Sequence, residues 1–283
     1  MSSRQSRRPK PQSSRGQRRR AHGVVSSTNQ PESPVKISSQ GVRLNRWLAE
    51  RGIASRRKCD ELIFGCSVEV NGRLVTKPGH RVQEGDRVSV DGSVVKEVRR
   101  LYYLFYKPKG VLCTEDSRET RPRVCDMVEP MVAGRVYAVG RLDEDTEGLL
   151  LLTNDGDFGN LVAHPRHGVT KTYVVLVHGS LTHDEVQKLK DGVWLSDGKA
   201  VADRIRVMRR TRSTTSLEVQ LSEGRNRLIR RMIAAVGRNV RSLKRVRIGG
   251  LGMKGLRRGQ IRPISRKERD DLVALAKRKG SLK

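Results

Sequence analysis

The chain contains few cysteines and few aromatic residues, and it has no long apolar run. Its 283 residues include 4 cysteines, none of which forms a CxxC pair, so the spacing does not indicate a zinc site. No apolar run approaches the roughly 18 residues of a membrane-spanning helix, and the basic N-terminus lacks the apolar centre of a secretory signal. Free thiols without an export signal predict a protein of the reducing cytoplasm.

Positive charge is what the chain has in excess. Lysine and arginine number 59 against 30 acidic residues, which gives a formal net charge of +29 and a pI of about 11.0. Such an excess favours a polyanionic partner, because lysine and arginine neutralise phosphates. In a merely soluble protein it would only add self-repulsion. A membrane-surface protein would need an amphipathic basic helix with a broad apolar face, and none stands out.

Changes in composition divide the chain into four segments. The first, rich in Ser, Gln, Pro and Arg, has almost no apolar content and is predicted to be a disordered basic arm. Such an arm either adds nonspecific RNA affinity or keeps the protein in solution. The predicted segments are the arm at 1–40, an N-terminal module at 41–97, a strand-rich domain at 98–268, and a C-terminal helix with a basic tail at 269–283.

The N-terminal module, residues 41–97, has the pattern of two short helices followed by small strands. Leu44, Trp47 and Leu48 make one apolar helix face, Ser55 can cap a second helix, and Asn71-Gly72 suits a hairpin turn. The run RLNRWLAERGIASRRKCDELIFGCSVEVNG resembles the S-four-type RNA-binding module. Its basic residues lie on and between the two predicted helices and border a turn, which favours contact with the RNA backbone over an ordinary solvated face. The candidate RNA-binding residues are Arg43, Arg46, Arg56, Arg57 and Lys58.

From residue 98 onward the pattern is dominated by strands. Helix signals are too sparse for alternating βαβ units, so we expect an α+β domain on a mostly antiparallel mixed sheet. Two capping boxes mark helices, Thr182 with Glu185 and Ser265 with Glu268. The strand-like runs are LYYLFYKP, VYAVG, GLLLLTN, TYVVLVHG, ADRIRVMRR and TSLEVQLSEG.

The run GRLDEDTEGLLLLTNDG, residues 140–156, places a charged loop between two apolar runs. Short apolar runs bounded by glycine and polar residues are typical of buried strands, so the loop is expected between two strands of a core sheet. A solvated turn is the simplest interpretation of such a loop. The whole string, however, closely resembles the signature of the pseudouridine synthases, in particular the RsuA/RluB-type family that modifies ribosomal RNA. The resemblance covers residues 43 to about 264.

The resemblance implies the following roles for individual residues. Asp143 is the catalytic residue, and Arg141 lies close to the flipped nucleotide. Tyr173 in KTYVV packs against the target base, a task that suits an aromatic face beside an extruded nucleotide. Arg230, on the helix expected for EGRNRLIRRMIAAVG (223–237), pairs with Asp143 and keeps it ionised and oriented. Arg227 and Arg231 of the same helix are expected to contact phosphate.

The implied reaction breaks the N-glycosidic bond of a uridine, rotates the base and rejoins it through carbon. A single carboxylate can serve as nucleophile or as base in it. No redox step occurs, so no cofactor is expected. A carboxylate pair of Asp143 and Asp145, as in glycosidases, is the less favoured alternative. The stretch Lys107–Gly110 (KPKG, after Tyr106) also resembles a family element, but we assign it no catalytic role.

The sequence therefore predicts a cytoplasmic, monomeric rRNA pseudouridine synthase. The segments EGRNRLIRRM and HPRHGVTKTY are more similar to the RluB branch than to the RsuA branch, which favours large-subunit rRNA. One alternative is an RNA-binding ribosome-assembly protein without catalysis, against which the intact GRLD, Tyr173 and Arg230 argue. The other is the same chemistry on small-subunit rRNA or tRNA, since a target sequence is recognised by surface shape.

Overall fold

The computed structural model describes residues 41–116 and 118–280. The arm predicted at residues 1–40 lies outside the described residues. Within them the chain is α+β, with a small module followed by a domain on a mixed, mostly antiparallel sheet, as predicted. No helix among the described residues is long and apolar enough to cross a membrane.

The N-terminal module packs two helices against short strands. Its elements are β1 (Val42–Arg43), α1 (Leu44–Glu50), α2 (Arg56–Phe64), β2 (Val68–Val70), β3 (Arg73–Leu74), β4 (Arg81–Val82), β5 (Val88–Val90) and β6 (Ser93–Val94). Ser55 caps α2 by accepting a hydrogen bond from the Lys58 amide. Asn71 and Gly72 have φ of +54° and +74°, the left-handed geometry of a tight hairpin turn. Leu44 and Ile63 lie in its core.

The domain that follows carries the larger sheet and five helices among the described residues. Its elements are β7 (Tyr102–Lys107), α3 (Val124–Val128), β8 (Tyr137–Val139), β9 (Glu147–Thr153), α4 (Gly156–Ala163), β10 (Lys171–His178), α5 (His183–Asp191), β11 (Val193–Leu195), β12 (Gly198–Ala200), β13 (Arg204–Arg210), β14 (Thr214–Leu221), α6 (Leu228–Ala235), β15 (Val240–Ile248), β16 (Leu251–Gly252), β17 (Ile261–Pro263) and α7 (Arg266–Gly280).

The sheet is organised around one parallel pairing. Among the described strands the order is β13-β14-β10-β15-β9-β7-β17, with β16 beside β15 and β8 beside β9. Only β15 and β9 pair in parallel within this set, through Lys244 opposite Glu147 and Arg245 opposite Gly148. This pairing joins the β7–β9 half of the domain to the β10–β14 half.

Strand β9 is buried along its whole length. Leu149 and Leu151 face a core shared with α4 and α7, while Leu150 and Leu152 face the core that contains α3. A strand covered on both faces has no polar side, which explains the unbroken apolar run Leu149–Leu152 in the sequence.

Helix α7 belongs to this domain. Ser265 and Glu268 form the expected capping box, and the helix begins at Arg266, so the boundary that we placed after residue 268 falls inside it. Leu272 and Ala276 are buried in the same core as β9.

The close approach of β9 and β15 makes a stability prediction at Gly148. Its φ is +117°, and a Cβ there would overlap the backbone carbonyl and amide of Arg245. Gly148→Ala therefore combines backbone strain with a clash between strands, and we expect it to cost about 3 kcal/mol or more of the free energy of unfolding.

The matched control is Gly198→Ala. Gly198 has φ of +106°, but no atom lies within 4 Å of the position that a Cβ would take, so this variant suffers the backbone strain alone, at about 1 kcal/mol. Denaturant unfolding of both variants measures the difference. Equal losses would mean that the β9–β15 approach is not as close as described.

Candidate active site

The loop between β8 and β9 forms a tight turn that carries Asp143. The Thr146 amide donates to the Asp143 carbonyl at 3.1 Å, closing a four-residue turn. The Gly110 amide donates to the Glu144 carbonyl at 2.8 Å, which ties the turn to the end of β7. The Asp143 side chain is 29% exposed, so its carboxylate is open to a ligand from one side.

A buried lysine holds this turn in place through hydrogen bonds. Lys107, the last residue of β7, is fully buried, and its ammonium donates to the carbonyls of Pro108 at 2.8 Å, Thr146 at 2.9 Å and Glu144 at 3.4 Å. Burial lowers the pKa of Lys107, and the nearby carboxylates oppose that shift. The residue to which we assigned no catalytic role therefore positions the loop of the candidate catalytic residue.

Asp143 lines a cavity of about 280 Å³, which we call the Asp143 cavity. Arg141, on the same loop, and Tyr173, on β10, line it as well. The cavity thus brings together three of the sequence-predicted site residues from one loop and one strand of the sheet. A carboxylate beside an aromatic ring in a recess of this size can accept a single extruded base.

The arginines of the segment 223–237 are arranged differently from the sequence expectation. Helix α6 begins only at Leu228, and Arg227 precedes it in the left-handed conformation, with φ of +46°. This places Arg227 Nη1 3.6 Å from Asp143 Oδ2 and its Nη2 3.4 Å from Asp145 Oδ2. Arg227, expected to point away towards phosphate, therefore faces the loop that carries Asp143.

Arg230 does not pair with Asp143 in the structure, so that prediction is wrong as to its partner. Its Nη2 lies 3.0 Å from Asp145 Oδ1 and donates to the Asp145 carbonyl at 3.3 Å. The turn places the Asp145 side chain, not that of Asp143, opposite this position of the helix. Arg230 therefore holds the loop through Asp145, and the ion pair to Asp143 comes from Arg227.

Three further cations line the Asp143 cavity and were not singled out from the sequence, namely Lys171, Arg225 and Arg245. Arg245 on β15 is 4% exposed, and its Nε donates to the Leu149 carbonyl at 2.6 Å. Lys171 on β10 donates to the Val162 carbonyl at 3.3 Å. Burial and the positive charge of Arg245 lower the pKa of Lys171 to about 8. The sequence does not distinguish Arg245 from the other basic residues of β15, and Lys171 is simply the first residue of β10.

The predicted RNA contacts fall into two groups. Arg43, Arg56, Arg57 and Lys58 are exposed on the N-terminal module. Arg46 is instead bound by carboxylates, with its Nε 2.7 Å from Glu50 and its Nη2 2.6 Å from Asp157 of α4.

Arg231 is also held by a carboxylate. It forms a two-point pair with Asp197, at 2.5 and 2.8 Å, in place of the open guanidinium expected for phosphate. Within the described residues no group of three or more His, Cys, Asp or Glu side chains could hold a metal ion.

Comparison with known proteins identifies the family. Residues 101–235 match the family model described as RNA pseudouridylate synthase, and residues 42–88 match the S4 domain. The ribosomal large subunit pseudouridine synthase B of Bacillus subtilis (strain 168) is 39% identical over 236 residues, which are 83% of this chain and 96% of that protein. The protein of the same name from Haemophilus influenzae is 37% identical over 249 residues, covering 85% and 68% of the two chains.

A solved structure agrees with these matches. The crystal structure of a pseudouridylate synthase aligns with a TM-score of 0.57 at 27% identity, covering 82% of this chain and all of that one (100%). The chain therefore belongs to the RsuA/RluB-type pseudouridine synthases, isomerases that act on RNA, and it carries an S4 domain. The family membership inferred from the GRLD string is confirmed.

The ion pair between Arg227 and Asp143 makes a kinetic prediction. Both side chains are partly exposed, so we expect Arg227→Gln to lower the single-turnover rate at saturating RNA about fivefold, which corresponds to about 1 kcal/mol. Arg231→Gln is the control, because Arg231 pairs with Asp197 and does not line the cavity. Its rate should stay within about twofold of the wild type. Indistinguishable rates for the two variants would contradict the assignment.

Proposed function

We propose that this protein converts one uridine of large-subunit rRNA to pseudouridine, with Asp143 as its catalytic carboxylate. The observation that carries the proposal is the cavity in which Asp143, Tyr173 and Arg141 meet. The printed names of the Bacillus and Haemophilus relatives support the choice of large-subunit rRNA. Small-subunit rRNA and tRNA are the alternative substrates that a test must distinguish.

The chemistry follows from the geometry around Asp143. The N1–C1′ bond of the uridine breaks, the uracil turns over, and a C5–C1′ bond forms, while the proton of C5 is lost and N1 gains one. Asp143 acts as nucleophile or base in these steps, and the ion pair with Arg227 orients the Asp143 carboxylate. Tyr173 supplies an aromatic surface on which the detached uracil stays in the cavity while it rotates.

Arg141 is suited to a separate task, the extrusion of the uridine. It is exposed and lines both the Asp143 cavity and the adjoining recess that contains Arg121 and Glu144. A guanidinium at the mouth of the cavity can occupy the space left by the flipped nucleotide or bind its phosphate. The target base then enters the cavity while the surrounding RNA stays outside.

The N-terminal module is proposed to bind the RNA backbone. Arg56, Arg57 and Lys58 form the exposed first turn of α2, where none of them forms an ion pair with a described residue. Phosphate contacts by such residues add affinity without reading sequence, so the module would hold the rRNA while the Asp143 cavity selects the uridine.

Asp143→Asn tests the catalytic assignment. The substitution keeps the size of the side chain but removes the nucleophile or base, so we expect activity to fall by roughly 10⁴-fold or more. The measurement is tritium release from transcribed large-subunit rRNA labelled at C5 of uridine, because that hydrogen leaves when C5 bonds to C1′.

The control is Asp145→Asn, since Asp145 binds Arg230 and does not line the cavity. It should retain activity within about tenfold of the wild type, as expected for a loop ion pair. An Asp143→Asn protein with a tenth of the wild-type activity would refute the mechanism. Activity on small-subunit rRNA or tRNA alone would refute the proposed substrate.

Replacing Arg56, Arg57 and Lys58 together by alanine tests the module. We expect the slope of log affinity against log salt to become shallower by about 2, because each phosphate contact contributes roughly 0.7–0.9. The control replaces Lys188 and Lys190, exposed residues of α5, by alanine. Turnover at saturating RNA should be unchanged in both proteins. An unchanged salt slope in the triple variant would exclude the module as a backbone clamp.

A further inference from the structure

The hairpin of β11 and β12 carries an exposed tryptophan that the proposed reaction does not use. The chain has two tryptophans, of which Trp47 is 6% exposed and Trp194 is 77% exposed. A single exposed apolar side chain is ordinary on a protein surface. The surroundings of Trp194 therefore decide whether it has a function.

Trp194 shares its face of the hairpin with a lysine and a valine. Trp194 pairs directly with Lys199 across the two strands, and such opposed residues point to the same side. Val201, also exposed, lies on that side as well, because a Cβ on Gly192 would meet Val201 Cγ2 at 2.7 Å and Lys199 Cε at 3.0 Å. The hairpin thus presents a small apolar surface with an ammonium group at its edge.

The hairpin is fastened to the wall of the Asp143 cavity. Arg225, which lines that cavity, donates from Nη2 to the Lys199 carbonyl at 2.9 Å and from Nη1 to the Gly198 carbonyl at 3.2 Å. Asp197, in the hairpin turn, binds Arg231 of α6 at two points. The position of Trp194 is therefore fixed relative to the cavity by hydrogen bonds from both its wall and α6.

The charge of this surface is positive. The hydrogen bond from Arg231 lowers the pKa of Asp197 to about 2, so the carboxylate stays ionised and is matched by Arg231 and Arg225. Lys199 forms no ion pair with a described residue. The hairpin therefore offers one unneutralised cation beside the indole, on a chain whose formal net charge is +29.

We propose that Trp194 is a stacking platform for an unpaired base of the RNA substrate, with Lys199 meeting the neighbouring phosphate. The choice of RNA as the ligand rests on the proposed function. The surface combines one flat aromatic face with an unneutralised ammonium group on a chain of formal net charge +29, so its charge is complementary to a polyanion. An unpaired base of an RNA stacks on such an aromatic face while its phosphate meets the cation.

Tryptophan fluorescence tests the platform in the full-length protein. Trp47→Phe leaves Trp194 as the single tryptophan, so its emission reports on Trp194 alone. If Trp47→Phe disturbs the fold, the emission of Trp194 is obtained by subtracting the emission of Trp194→Phe from that of the wild type. Transcribed large-subunit rRNA should quench Trp194 at saturation. Polyphosphate, a polyanion without bases, should bind without quenching it.

Affinity measurements give the second readout. Trp194→Ala should weaken rRNA binding about tenfold, whereas Trp194→Phe, which keeps an aromatic face, should lose about threefold or less. Met208→Ala is the control, because Met208 is an exposed apolar residue (49%) of β13 outside the hairpin. The affinity of this variant for rRNA should equal that of the wild type.

The outcomes separate this inference from the proposed function. If rRNA is pseudouridylated but Trp194 is neither quenched nor needed for affinity, the platform is refuted and the enzyme assignment stands. Equal quenching by polyphosphate also refutes it, because no base is involved. A concentration-dependent emission shift without RNA refutes it in favour of self-association. If no tested RNA is modified by the wild type, the proposed substrate is what has failed.

Discussion

The ammonium of Lys107 fixes the turn that carries Asp143, and the rest of the site depends on the position of that turn. It is fully buried at the end of β7 and donates to three carbonyls, two of them in the turn that carries Asp143. A buried charge is tolerated only where such partners converge on it. The shape of the turn, and with it the position of Asp143, is therefore set by the protein's own hydrogen bonds.

The parallel pairing of β9 and β15 completes the site. It requires Gly148, whose missing side chain lets the backbone of Arg245 come close, and it places β10 next to β15 within reach of the Asp143 loop. Tyr173 on β10 and Asp143 on its loop consequently line one cavity although they are far apart in the sequence. The same pairing brings Arg245 into that cavity, so its cationic wall is a consequence of the sheet order.

Local patterns predicted much of this structure from the sequence. The capping boxes of α5 and α7, the Asn71-Gly72 hairpin and the apolar runs of β8 and β9 were recognisable because each depends on neighbouring residues. The partner of Arg230 could not be predicted, because it depends on where α6 begins and on the turn at Asp143. The role of Lys107 could not be predicted for the same reason, since two of its three partners lie 37 and 39 residues away.

Mapping of pseudouridines in total RNA is the most direct test of the account, carried out in a strain that lacks this gene and in the same strain with the gene restored. If the Asp143 cavity acts as proposed, one uridine of large-subunit rRNA remains unmodified in the deletion strain and becomes pseudouridine again when the gene returns. Persistence of every pseudouridine of the parent strain in the deletion strain would contradict the proposed function. A loss confined to tRNA or small-subunit rRNA would contradict the substrate assignment.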